Sequence, residues 1–125
     1  MKEDLKILIA DDSEMMRLVM RGFFIKYLIN PQVEQATDLE DTYSKLKTNK
    51  FDLLVLDINM PNGDSSPETV VAIKAQYPDL KVIMFSGNDK KTFEQSYLDA
   101  GAVGFIQKDE QIGINAKALL DIHFN

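Results

Sequence analysis

The chain contains no cysteine. That removes disulfides and thiolate zinc sites, and nothing points to an oxidising compartment. Its one histidine, His123, stands near the C-terminus and reads as a solvated side chain. No apolar stretch approaches the roughly twenty residues that a membrane span needs. The opening MKEDLKILIADD has a short apolar run and carries Glu3 and Asp4, too acidic for a signal peptide. Basic clusters are missing as well. The formal net charge is −6, which argues against non-specific binding to nucleic acid or anionic membranes. The expectation is a soluble cytoplasmic protein with no nucleic-acid or membrane partner. At 125 residues it reads as one domain, 1–125, long enough to bury about two-thirds of the surface of its unfolded chain.

What is present is organised around Phe51 to Gly63, FDLLVLDINMPNG. The apolar run Leu53-Leu54-Val55-Leu56 leads into Asp57, and the chain then turns at Met60-Pro61 and Asn62-Gly63. A short apolar run closed by turn residues predicts a strand buried on both faces, as inside a parallel sheet. Asp57 falls at its carboxyl end, where open α/β sheets hold their ligands.

Other segments repeat the pattern. Leu5–Ala10 is an apolar run ending in Asp11-Asp12, Leu80–Phe85 ends in Ser86-Gly87, and Val103–Ile106 stops just short of Lys108. Val33–Ala36 is a weaker candidate strand. Helices are expected between these runs. Glu14 to Ile29 carries an apolar face of Met15, Leu18, Val19, Phe23 and Ile25, capped by Asp12 or Ser13 and closed by Asn30-Pro31. Thr37 and Glu40 form a capping-box pattern opening a mostly solvated helix to about Thr48, with Leu39, Tyr43 and Leu46 inward. Ser65-Ser66-Pro67-Glu68 announces a helix to Tyr77, lined by Val70, Val71, Ile73 and Ala75. Two more run from about Lys90 to Ala100 and from Glu110 to Ile122, the second with Gly113 in its first turn. Five strands alternating with five helices predict a doubly wound α/β fold with a parallel sheet.

In such a sheet Asp11, Asp12, Asp57, Ser86 and Lys108 converge on one edge. Taken singly, each has a plain structural role: Asp11-Asp12 caps a helix, Asp57 forms a turn, Ser86 sits in a loop, Lys108 is a solvated charge. Gathered, the carboxylates repel one another by roughly 1 to 4 kcal/mol per pair at 4 Å, depending on the effective dielectric. A cation is needed to offset that. Oxygen ligands without histidine or cysteine suit Mg²⁺, and a lysine and a hydroxyl aimed at the same point complete a clamp for a phosphoryl group.

The stretches ILIADDS at Ile7–Ser13, LLVLDINMPNGD at Leu53–Asp64, VIMFSG at Val82–Gly87 and AGAVGFIQK at Ala100–Lys108 resemble the response-regulator receiver domains of two-component signalling. The resemblance spans essentially the whole chain. It implies a flavodoxin-like (βα)5 fold with strand order 2-1-3-4-5. It also implies that Asp57 accepts a phosphoryl group from a histidine kinase, later hydrolysed at the same site. Mg²⁺ would be held by Asp12, Asp57 and the Asn59 carbonyl, with Asp11 helping directly or through water. Ser86 and Lys108 would contact phosphoryl oxygens, and Asn59 and Asn88 would tune hydrolysis. Ser86 and Phe105 map onto the family's switch pair. Phe105 lacks the hydroxyl of a tyrosine, so a switch driven by packing is expected, with Phe105→Tyr tolerated. The downstream partner would dock on the face of the fourth helix, fifth strand and fifth helix, as in chemotaxis-type regulators, with the chain a monomer or a phosphorylation-dependent dimer.

One departure stands out. The family's lysine is usually followed by a cis-proline, but Lys108 precedes Asp109. A cis bond to a non-proline residue costs roughly 2.5 to 4 kcal/mol, so a trans peptide and a displaced loop are expected, which puts the reach of Lys108 in question. Three other readings stay open: a pseudo-receiver that binds without turnover, a receiver belonging to a longer regulator, and a haloacid-dehalogenase-type phosphohydrolase. The last needs a second aspartate two residues after the nucleophile as general acid, and that position is Asn59. Because HFN closes the sequence just after the fifth helix, a stand-alone receiver is the expectation.

Overall fold

A computed structural model describes residues 3–124. Five parallel strands form one sheet in the order β2-β1-β3-β4-β5. They are β1 (Lys6–Ala10), β2 (Gln32–Ala36), β3 (Leu53–Asp57), β4 (Lys81–Ser86) and β5 (Gly104–Gln107). The helices α1 (Glu14–Tyr27), α2 (Leu39–Thr48), α3 (Pro67–Gln76), α4 (Lys90–Ala100) and α5 (Ile112–His123) fill the crossovers. This is the expected flavodoxin-like α/β fold.

Strand alternation divides the core in two. Leu8, Ala10, Leu54, Leu56, Val82, Met84 and Phe105 face one side, where Leu46, Val70, Ile73 and Tyr97 cover them from α2, α3 and α4. Ile7, Ile9, Leu53, Val55, Ile83, Phe85 and Ile106 face the other, under Met20 and Phe24 of α1 and Ile112, Ala116 and Leu120 of α5. Both faces are covered, so β3 is apolar at every position before its aspartate. Each such aliphatic side chain contributes about 1.5 to 3 kcal/mol on burial.

Several local expectations are corrected. The inward face of α1 is Met20 and Phe24, with Met16 and Phe23 partly buried. Met15, Leu18 and Ile25, assigned inward from their spacing, are exposed at 68%, 54% and 50%. The helix is apolar on two opposite sides, and periodicity alone cannot say which of them meets the sheet. On α3, Val70 and Ile73 are buried while Val71 and Ala75 are exposed. The cap of α2 is Asp38, whose carboxylate accepts from Asp41 N, and not Thr37. Ser66 caps α3 in a reciprocal pair with Thr69. Gly113 sits inside α5 because the Phe23 ring of α1 lies 2.5 Å from where a Cβ would stand.

Candidate functional site

The five convergent residues occupy the carboxyl ends of β1, β3, β4 and β5, because the register of a parallel sheet aligns those ends. Ala10 lies opposite Leu56, Asp57 opposite Phe85, and Ser86 opposite Gln107. Asp11 continues β1 and donates its N–H to the Ala36 carbonyl. Asp12 is exposed beside it, and Ser13, not Asp12, caps α1. One oxygen each from Asp11, Asp12 and Asp57 falls within a cluster 4.8 Å across.

Asp11 and Asp57 are buried, Asp11 completely. Asp11 Oδ1 accepts the Ser13 N–H at 2.9 Å. Lys108 Nζ stands 2.8 Å from Asp11 Oδ2 and 3.4 Å from Asp57 Oδ2, and 5.1 Å from the centroid of the Phe85 ring. The ammonium therefore bridges two carboxylates that would otherwise confront each other out of water. Arg17 supports the arrangement from α1: its guanidinium donates to the Asp11 carbonyl at 2.7 Å and to Gln35 Oε1 at 2.8 Å.

Asp57 is held well above an ordinary carboxyl, from 3.8 to about 6. Desolvation is the main cause and the Asp11 charge the second. The Lys108 charge and hydrogen bond, and a backbone hydrogen bond from Asn59, pull the other way without cancelling them. Lys108 contacts two of the three clustered carboxylates, and a divalent cation would offset the remaining negative charge. All-oxygen donors, two of them buried, with no histidine or thiolate in the cluster, fit a hard divalent ion.

Ser86 is buried at the end of β4. Its Oγ accepts the Asn88 N–H at 2.9 Å, which leaves its own O–H to donate. Asn88 Nδ2 donates to Asn59 Oδ1 at 2.9 Å, tying the loop after β4 to the loop after β3. Phe105 is buried on β5 and packs against the ring of Tyr97, centroids 6.1 Å apart and planes at 56°. Among the described residues, then, all the predicted site residues meet at one edge, with Phe105 beneath it. His123 lies in the last turn of α5, partly buried rather than solvated.

The Lys108–Asp109 bond is trans, since no cis peptide occurs among the described residues. Lys108 nevertheless reaches both carboxylates. Two hydrogen bonds shape its loop: Lys108 N–H donates to the Ser86 carbonyl at 2.7 Å, and Asp109 Oδ1 accepts the Gln111 N–H at 2.8 Å. That i to i+2 bond is an Asx-type turn. Asp109 thus shapes the turn where the family usually has proline. Its aspartate is a turn former by type, so the signal was in the sequence, but its effect on Lys108 was not.

A family model described as the response regulator receiver domain matches residues 7–119. The oxygen regulatory protein NreC of Staphylococcus epidermidis is 33% identical over 116 residues, 86% of this chain and 51% of NreC. The chain thus spans about half the length of that relative. Among solved structures, the chemotaxis protein CheY4 of Vibrio cholerae superposes with a TM-score of 0.78 at 24% identity, covering 95% of this chain and 98% of that one. The response regulator TrrA of Thermotoga maritima, solved in complex with Mg²⁺ and beryllofluoride, gives 0.74 at 23% identity, covering 93% and 99%. At such identities the likeness establishes the fold.

Proposed function

The chain belongs to the response-regulator receiver domain family, and from that premise we propose that Asp57 is the phosphoacceptor of a two-component signalling pathway. One observation carries this reading: Lys108 Nζ sits between Asp11 Oδ2 and Asp57 Oδ2 within a three-carboxylate cluster. That is a site built to gather negative charge around one nucleophilic oxygen.

A carboxylate oxygen of Asp57 attacks the phosphorus of a histidine kinase's phosphohistidine. A P–O bond forms, the P–N bond breaks, and its electron pair returns to the imidazole. Little covalent help is needed, because such transfers depend on positioning and charge neutralisation. Lys108 lies within reach of a phosphoryl oxygen on Asp57, and the free O–H of Ser86 can donate to another. Asp11, Asp12, Asp57 and the Asn59 carbonyl are the residues that would hold Mg²⁺, which neutralises charge on the transferring group when bound. Asn59 and Asn88 flank the site as a hydrogen-bonded pair and are assigned to tuning the attack of water on the acyl phosphate. Phe105 and Ser86 are assigned to the switch, and the face of α4, β5 and α5 to a downstream protein.

The domain is read as 1–125, acting in the cytoplasm; no helix among the described residues is long and apolar enough to cross a membrane. A second reading, a receiver that forms part of a longer regulator, is favoured by the length of relatives such as NreC. The reach of Lys108 weakens the pseudo-receiver reading, whose motive was the missing proline.

The test is intact mass after incubation with acetyl phosphate and Mg²⁺. One added phosphoryl group on the wild type and none on Asp57→Asn is the expected result. No gain on the wild type, together with no binding of beryllofluoride, would overturn the assignment.

A further inference from the structure

Helix α4 has one fully buried side chain, Tyr97, at 3% exposure. The rest of the helix is exposed or half-buried, so this ring is its main anchor to the body of the domain. The hydroxyl does not end in solvent or in apolar packing. It donates to the backbone carbonyl of Ser65 at 3.2 Å, a buried bond spanning 32 residues of sequence. Burial first, and then the charges of Glu68 and Asp64, raise the phenol above its ordinary 10.0, so it remains a protonated donor at physiological pH.

Ser65 closes the loop that begins directly after Asp57. Its N–H donates to the Ile58 carbonyl at 2.7 Å, and within the loop Met60 N–H donates to Asp64 Oδ1 at 3.2 Å. The Ser65 side chain is buried with an unpartnered Oγ, so its carbonyl bond to Tyr97 is the polar tie on that side of the loop. The same loop carries Asn59, which is bonded to Asn88. Phe105, packed on the Tyr97 ring, has no hydroxyl to offer. The Tyr97 hydroxyl thus gives the Ile58–Ser65 loop a direct polar tie to α4 that the Phe105 side chain of β5 cannot supply.

We propose that Tyr97 is a positioning residue that latches the Ile58–Ser65 loop to α4, and that through this hydroxyl a change at Asp57 is transmitted to the helix. The transmission part rests on the phosphoacceptor reading above; the latch itself does not. A shift of the loop on phosphorylation moves the Ser65 carbonyl, and the buried phenol must follow or lose its acceptor. Since Tyr97 is the anchor of α4, following means moving the helix.

The test is Tyr97→Phe, which keeps the ring and removes the hydroxyl, examined by residue-resolved amide hydrogen exchange. In the unphosphorylated protein the Ser65 amide is expected to exchange about tenfold faster, the size of one lost buried hydrogen bond. Amides of β1 and β3 should be unchanged. A purely structural role would instead accelerate all of them together. Phe105→Leu, which loosens packing but keeps the hydroxyl, serves as that comparison and should leave Ser65 no more affected than the strands. Unchanged Ser65 exchange in Tyr97→Phe would overturn the latch.

The second arm uses acetyl phosphate and Mg²⁺, with phosphoryl occupancy read by intact mass on the same samples. At equal occupancy the exchange change in residues 90–100 should be at least about threefold smaller in Tyr97→Phe than in the wild type. An equal response in both proteins would overturn the transmission. Absence of any phosphoryl gain in the wild type, together with no binding of beryllofluoride, would sink the phosphoacceptor reading and the transmission with it, while the first arm still decides the latch.

Discussion

Replacing Asp57 with asparagine should stabilise the metal-free protein at neutral pH, although it removes the proposed nucleophile. The carboxyl titrates at about 6 in the folded state against 3.8 as a free group. Between those values the unfolded chain has already released its proton while the folded chain keeps it, so the proton favours folding. Raising the pH through this window removes stability, and above about 6 the whole penalty is present. A difference of this size corresponds to at most about 3 kcal/mol, and solvent screening at the open edge of the site lowers it to about 1 to 2 kcal/mol. Asp57→Asn escapes it, because the amide stays neutral while Lys108 keeps its contact with Asp11 at 2.8 Å. The measurement is equilibrium urea unfolding of both proteins in chelator from pH 4 to 8. Far-UV circular dichroism is the signal, since the chain lacks tryptophan. The variant's advantage should be about 1 to 2 kcal/mol above pH 7 and should largely vanish near pH 4. Saturating Mg²⁺ should shrink the gap by stabilising the wild type through binding. Equal stabilities at pH 7.5, or a gap that ignores pH, would refute the reasoning that burial and Asp11 set this carboxyl.

Two further expectations follow from the packing and charge of the same molecule. Lys108→Met leaves the buried Asp11 Oδ2 without its cation and should cost about 1 to 3 kcal/mol in chelator, a partly exposed version of a broken buried pair. It should also move the Asp57 carboxyl further upward and make Mg²⁺ stabilise the variant more than the wild type; the urea midpoints with and without the ion check both. On α1, Met20→Ala should cost about 2 to 5 kcal/mol, whereas Leu18→Ala should stay within about 0.5 kcal/mol. Thermal denaturation of the pair checks which side of the helix meets the sheet, and the reverse order would show that it had been assigned wrongly.

The sequence carried the architecture because burial on both faces leaves a mark that needs no partner to recognise. Leu53 to Leu56 is apolar without alternation, and Asp57 breaks the run where the strand ends. The same holds for Leu8 to Ala10 and Val82 to Phe85. Once those runs are strands of a parallel sheet, their ends share an edge, and Asp11, Asp12, Asp57, Ser86 and Lys108 are brought together by topology alone. On helix α1 spacing places Val19 and Phe23 correctly against the core but not the other three, because Met15, Leu18 and Ile25 recur at helical spacing as well as Met16, Met20 and Phe24 do.

What the sequence by itself determined was therefore the strand runs, their order of alternation with helices, and the identity of the groups at the carboxyl edge. These depend on local hydrophobicity and on chain connectivity. Only the tertiary structure decided which side of α1 is buried, that Lys108 bridges Asp11 and Asp57 without a proline behind it, and that the Tyr97 hydroxyl ends on the Ser65 carbonyl. Each of these is a distance between groups far apart in the chain. Such distances are set by how helices settle on the sheet, and no run of neighbouring residues encodes them on its own.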